Sequence, residues 1–137
     1  MTNSGITIVV DASTVVMLLA DATGVGKWVA SNLTDRQVAV PSLMPYEAAN
    51  ALRRRVLAGA LDATTARTAH DDLRDLQWDV WPHSRLAERT WELRGAVSYY
   101  DASYIALAEL LDAPLLTLDR RLTRAPGPRC AFLTPPQ

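Results

Sequence analysis

Four carboxylates in this 137-residue chain stand where strands should end and helices begin: Asp11, Glu47, Asp101 and Asp119. Asp11 directly follows Ile8-Val9-Val10, and Asp119 directly follows Leu115-Leu116-Thr117-Leu118, two apolar runs that read as strands. Glu47 falls early in a helical stretch and Asp101 opens another. If the two runs are parallel strands of one sheet, both aspartates lie at strand C-terminal ends, where open α/β sheets keep their ligand crevice. Carboxylates gathered in one place repel one another and are costly to desolvate, which implies a cation. A hard divalent ion such as Mg²⁺ takes oxygen ligands of this kind and usually brings a phosphate with it.

Each acid also has a purely structural reading. Asp11 and Asp101 suit helix N-caps, Asp119 suits a turn, and Glu47 suits the positive end of a helix dipole. The joint pattern is what favours a site, because two of the acids end strands on one expected sheet edge. Glu47, Asn50 and Arg54 recur at i, i+3 and i+7 and so share a helix face, while Ala48, Leu52 and Val56 form a separate apolar face. Asp11-Ala12-Ser13 adds a hydroxyl two residues after the first acid. A dehalogenase-type phosphatase would need a second Asp where Ser13 stands. A metal-dependent adhesion site would need a hydroxyl at Val15.

The elements that must position these groups alternate. Residues 6–10 form a first strand, with Asp11 or Ser13 capping a helix over 12–20. A second helix covers 24–33. Gln37–Val40 is a strand ended by Pro41. Ser42 caps a helix to about Ala58, with Pro45 in its first turn and Gly59 after it. Asp62 starts a helix to about Leu76, and Trp78–Trp81 is a short strand. Ser84 caps a helix to about Val97, and Asp101 caps one from Ala102 to Leu111. A strand at Leu115–Leu118, a helical turn from Asp119 to Thr123 and an edge strand at Ala131–Leu133 complete the chain. This alternation specifies an α/β fold with a mainly parallel central sheet flanked by helices, formed by one domain over residues 1–137.

Bulk properties narrow the function classes. Apolar residues make up 49% of the chain and the formal net charge is −1, so a proper core is available but no molecule-wide field for nucleic acid. Basic residues are local: Arg53-Arg54-Arg55, and then Arg120, Arg121, Arg124 and Arg129 with no acid after Asp119. Such clusters suit phosphate. The single cysteine, Cys130, excludes an internal disulfide and a cysteine-rich metal site. No segment reads as a signal peptide, and none approaches the roughly 18 apolar residues of a membrane span. The chain reads as soluble and cytoplasmic. His70 and His83 lie away from the motifs and read as surface groups. Trp28 and Trp91 are candidates for base stacking, although core or interface roles are the commoner use of such residues. Trp78 and Trp81 read as packing residues.

Four short motifs in order carry a family resemblance: Val9-Val10-Asp11-Ala12-Ser13, Pro45-Tyr46-Glu47-Ala48-Ala49-Asn50, Tyr100-Asp101-Ala102-Ser103-Tyr104 and Leu116-Thr117-Leu118-Asp119-Arg120-Arg121-Leu122. From about residue 6 to 133 the chain resembles the PIN-domain ribonucleases and, within them, the VapC toxins of bacterial toxin–antitoxin pairs. The resemblance implies a three-layer PIN fold and a pocket in which Asp11, Glu47, Asp101 and Asp119 hold one or two Mg²⁺ or Mn²⁺ ions. Ser13 and Thr117 would be supporting polar groups, and Asn50, from its helix spacing, would orient Glu47 or a water. Arg120, Arg121 and Arg124 are candidates for RNA backbone contacts. It further implies cleavage of cellular RNA (transfer RNA ahead of ribosomal RNA), neutralisation by a VapB-type antitoxin, and a homodimer. A non-catalytic binding module and a small phosphatase remain the alternatives. Removing Asp11 or Asp119 is expected to abolish cleavage and leave the fold intact, since taking away a repelling carboxylate rarely harms stability.

Overall fold

The computed structural model describes residues 6–21 and 23–136. Within these residues five strands form one wholly parallel sheet: β1 (Thr7–Val10), β2 (Gln37–Pro41), β3 (Asp79–Trp81), β4 (Leu115–Leu116) and β5 (Phe132–Leu133), in the order β3-β2-β1-β4-β5. Among the described residues, six helices flank it: α1 (Ala12–Ala20), α2 (Gly24–Leu33), α3 (Met44–Leu57), α4 (Ala63–Arg74), α5 (His83–Glu92) and α6 (Tyr99–Leu110). The chain moves outward from β1 through β2 to β3, then crosses back to lay β4 on the other side of β1. The strand order therefore reverses between β1 and β4, and a crevice opens above their C-terminal ends.

Composition explains the central position of β1. Ile8, Val9 and Val10 are fully buried, and each contributes about 1.5–3 kcal/mol by leaving water. A strand apolar on both faces is stable only in the middle of a covered sheet. β4 lies beside it in the register Val9–Leu115 and Val10–Leu116, with both leucines fully buried. Helix α6 lies against β1, β2 and β4 and also packs on α5, while α1 packs on α2, α3 and α4. The corner between α1 and α2 depends on Gly26, where a Cβ would lie 2.0 Å from the Asp21 carbonyl oxygen and 2.8 Å from that of Met17. Both obstacles are backbone, so Gly26→Ala should lower stability by about 1–3 kcal/mol. A denaturant midpoint equal to wild type would refute that account of the corner.

Several boundaries differ from expectation for identifiable reasons. Ser42 does not cap α3: its N–H extends the sheet to the Trp81 carbonyl at 2.9 Å, and the cap position is Leu43, which has no side-chain bond. Helix α5 starts at His83 after Pro82, so Ser84 is not its cap, and it stops at Glu92 rather than Val97. The next helix begins early, because Ser98 and not Asp101 is its cap: the Ser98 hydroxyl accepts the N–H of Asp101 at 3.1 Å. β4 ends at Leu116, two residues short of the expected Leu118, although the Thr117 N–H still donates to the Leu133 carbonyl at 3.0 Å. The expected turn after Asp119 is a 3₁₀ turn at Leu122–Arg124. Among the described residues, no helix is long and apolar enough to cross a membrane.

Candidate active site

The switch between β1 and β4 brings Asp11 and Thr117 together across 106 positions of sequence. Asp11 is the N-cap of α1. Its Oδ1 accepts the Thr14 N–H at 3.1 Å, the Thr14 hydroxyl at 2.6 Å and the Ser13 hydroxyl at 3.1 Å. Its Oδ2 accepts the Thr117 hydroxyl at 2.5 Å. The Thr117 oxygen in turn accepts the N–H of Asp119 at 3.0 Å. One hydroxyl thus fixes both the Asp11 carboxylate and the turn carrying Asp119. Asp11, Thr14 and Thr117 are all buried, so these bonds are made out of water.

Glu47 is reached from α6. The Tyr104 hydroxyl donates to Glu47 Oε1 at 2.7 Å. Burial, reinforced by the negative charge of Glu47, pushes that hydroxyl far above its usual range, so it is a committed donor. The sequence reading missed Tyr104 as a site residue. The available signal was its place three residues after Asp101, on the same helix face, but a tyrosine in an apolar helix reads first as core.

Burial raises the Glu47 carboxyl above its ordinary value; the Tyr104 bond opposes this, and the charges of Asp101 and Asp11 add to it. Burial likewise raises Asp101, against the Ser98 contact and with repulsion from Asp11 and Asp119. Because Ser98 supplies the cap, the Asp101 side chain is not consumed in capping. Asp119 shifts the other way. Arg121 grips it through Nε to Oδ1 at 3.0 Å and Nη2 to Oδ2 at 2.7 Å, and this holds its carboxyl low.

All four acids line one open cleft of about 680 Å³, together with Ser13, Asn50, Arg54, Tyr104 and Arg121. Glu47, Asn50 and Arg54 do share the face that meets it, while Ala48 and Leu52 point into the core. Among the described residues, no three His, Cys, Asp or Glu side chains form a ready-made ion cage. The acids are instead held by protein donors: Asp11 by hydroxyls, Glu47 by Tyr104 and Asp119 by Arg121. The donor set is nevertheless the kind a hard cation takes, all oxygen and mostly anionic. Two of its members have raised carboxyls that positive charge would relieve. By chemistry, the residues fit Mg²⁺ or Mn²⁺.

The remaining candidates separate. Arg120 turns away from the cleft and donates to Thr134 Oγ1 at 3.2 Å and to the Pro135 carbonyl, so its guanidinium holds the C-terminal segment. Arg121 and Arg124 line an adjoining hollow together with Asp101 and Asp119. Trp28, Trp78 and Trp81 pack against the core. Trp91 is exposed under the Arg94 guanidinium, 4.4 Å from its ring centre. His70 and His83 are exposed, and His83 bonds to the Tyr99 hydroxyl at 2.7 Å. Cys130 packs against the core, and burial pushes its thiol up to about 11.

Comparison with known proteins agrees with this geometry. The PIN-domain family model matches residues 8–128. Ribonuclease VapC1 of Mycobacterium tuberculosis is 46% identical over 124 residues, covering 89% of this chain and 92% of that protein. VapC ribonuclease Mb0985 of Mycobacterium bovis is 36% identical over 130 residues, covering 95% of this chain and 99% of that protein. The crystal structure of FitAcB from Neisseria gonorrhoeae superposes with a TM-score of 0.67 at 15% identity, over 93% of this chain and 96% of that one, a likeness of fold. A matched family model over most of the chain and two VapC relatives spanning nearly their full lengths lead to one assignment: this chain belongs to the PIN-domain family, in its VapC branch.

Proposed function

We propose that the chain is a Mg²⁺- or Mn²⁺-dependent endoribonuclease and the toxin of a cytoplasmic toxin–antitoxin pair. The observation that carries this reading is the convergence of Asp11, Glu47, Asp101 and Asp119 on one cleft above the sheet's switch point. The full-length likeness to proteins named ribonuclease supports the RNA substrate. Within cellular RNA, the family resemblance favours transfer RNA over ribosomal RNA.

One or two bound cations would supply charge on the scissile phosphate and acidify a water towards neutrality. The protein's own part follows from the geometry. Asp11, held by four hydrogen bonds, is the preset anchor of the site. Thr117 and Ser13 keep it oriented, and Tyr104 does the same for Glu47. Glu47 and Asp101 line the cleft beside Asp11, and either is placed to take the proton of the attacking water. Asn50 borders them and would orient Glu47 or that water. Arg121, whose side chain is 85% exposed, is placed to exchange Asp119 for an RNA phosphate, with Arg124 holding a neighbouring one.

A VapB-type antitoxin is the expected inhibitor. An apolar groove between α3 and α4, with Leu52, Val56, Leu57, Ala63 and Ala66, suits an amphipathic helix. An arginine from the same partner would suit the acidic cleft. A homodimer accords with the symmetric assemblies usual for small proteins.

The test is cleavage of total RNA by purified protein with Mn²⁺, with excess chelator, and with Asp119→Asn. Chelation should stop cleavage, and the substitution should slow it by about 10²–10³-fold. Full cleavage in chelator would defeat the metal-dependent reading. Absence of Mn²⁺ uptake by calorimetry would support a binding module instead, and turnover of a phosphomonoester without RNA cleavage would indicate a phosphatase.

A further inference from the structure

Two of the four tyrosines have internal partners: Tyr104 donates to Glu47 and Tyr99 meets His83. The other two behave differently. Tyr46 is 81% exposed and Tyr100 is 62% exposed, and both line the acidic cleft. Each immediately precedes a carboxylate, Tyr46 before Glu47 on α3 and Tyr100 before Asp101 on α6. The cleft thus has an aromatic ring beside an acid on two of the three helices that line it, α3 and α6. Folding does not require these rings, because the cores of both helices are supplied by other residues, among them Ala48, Leu52 and Ile105.

We propose that Tyr46 and Tyr100 are base-stacking residues that take unpaired RNA bases on the two sides of the scissile phosphate and so restrict cutting to single strands. This rests on the nuclease reading above. Three features favour a nucleotide base as the occupant. The rings are flat and exposed, as a stacking surface must be. Arg54 and Arg121 in the same cleft supply charge for the phosphates between the bases. In an A-form duplex the bases are stacked and inaccessible, so such platforms discriminate by strand state. Stacking is sequence-tolerant, so the tyrosines set strand state and position, not base identity. Trp28 and Trp91, the stacking candidates of the sequence, are displaced from the role: neither lines this cleft.

The experiment measures affinity for a fluorescein-labelled, unstructured 12-nucleotide RNA in Mg²⁺ buffer, using an Asp119→Asn background so that binding is read before appreciable cutting. Tyr46→Ala and Tyr100→Ala should each weaken binding by about 10-fold, from the ~1–3 kcal/mol a stacked base contributes. Tyr46→Phe and Tyr100→Phe should keep it. The same strand annealed to its complement should bind more weakly and be indifferent to all four changes. A 2-aminopurine label should be quenched on binding and lose that quenching when both tyrosines are Ala. Wild-type affinity in both Ala variants, or equal loss with Phe, overturns the proposal, and the first result would leave these rings to a protein partner. Quenched binding together with no cleavage by the Asp119-containing protein would defeat the nuclease reading and leave stacking standing.

Discussion

Asp11→Ala and Asp101→Asn should both abolish RNA cleavage, yet move stability in opposite directions. Asp11 caps α1 and accepts three hydroxyls in a buried setting. Its loss removes a cap, at about 0.5–2 kcal/mol. It also strands buried Thr14 and Thr117 donors, at about 1–3 kcal/mol. A combined cost of roughly 2–4 kcal/mol follows, or a fall in Tm of about 3–5 °C per kcal/mol for a chain of this size. The sequence alone leads to the expectation that the protein stays folded because losing a repelling carboxylate rarely harms stability; the hydrogen bonds at Asp11 predict a measurable cost to that fold. Asp11→Asn is the gentler probe, because asparagine can still cap.

Asp101 gives the opposite sign. Its carboxyl is raised by burial and by neighbouring acids, so the folded state prefers it protonated. Such a group supports the fold below its ordinary value of 3.8 and loses that support as pH rises through the higher folded value. At pH 7 the ionised form is therefore a liability that Asn removes. Asp101→Asn should melt higher than wild type at pH 7, by on the order of 1 kcal/mol, the usual gain from relieving a strained functional group. The difference should vanish near pH 3. Thermal melts of both proteins at pH 7 and pH 3 and one cleavage assay decide it: a variant that melts lower at pH 7 contradicts the electrostatic account of the cleft.

The legible part of this site was where its acids gather, and the illegible part its wiring. A continuous β-branched run revealed β1 and a short apolar run ended by Pro41 revealed β2, and acids at the ends of apolar runs pointed to the crevice, because strand C-terminal ends are fixed by topology. What failed were the caps. Ser98-Tyr99-Tyr100-Asp101 carries the spacing of a capping box, but Asp101 directly before an apolar helix masked it. Ser42 lost its capping role because it still follows the sheet, its N–H bonded to Trp81, and α3 starts only at Met44 with Leu43 in the cap position. Arg120 and Arg121 are adjacent and chemically identical, yet one anchors the C-terminal segment and the other faces the cleft. Only the path of the turn distinguishes them. Tyr104 was hidden for a related reason: its ring serves the core and its hydroxyl the site.

The largest stability effect away from the cleft should come from Arg89→Ala. Arg89 on α5 grips Glu109 on α6 with Nε at 2.7 Å and Nη2 at 3.2 Å, and donates to the Gly127 carbonyl at 2.9 Å. Glu109 also accepts the Arg129 N–H at 2.7 Å. One ion pair therefore joins α5, α6 and the segment leading to β5, the strand beside β4. The Glu109 side chain is only 12% exposed, so losing Arg89 leaves a largely buried carboxylate short of a partner, at about 2–4 kcal/mol. Burial pushes Glu109 up, but the bonds from Arg89 and from the Arg129 amide outweigh it and hold the carboxyl below its ordinary value. A depressed carboxyl contributes stability above its ordinary value of 4.5, and that contribution is lost as pH falls through the folded value. The Tm gap between wild type and Arg89→Ala should thus be full at pH 7 and shrink steadily below pH about 4.5. Cleavage well below the melting range should survive, because Arg89 touches none of the four acids. A gap that stays constant down to pH 3 would mean that Arg89 supports the fold through its alkyl stem and not its charge; lost cleavage in the folded variant would mean that the position of α6 sets the geometry of Asp101 and Tyr104.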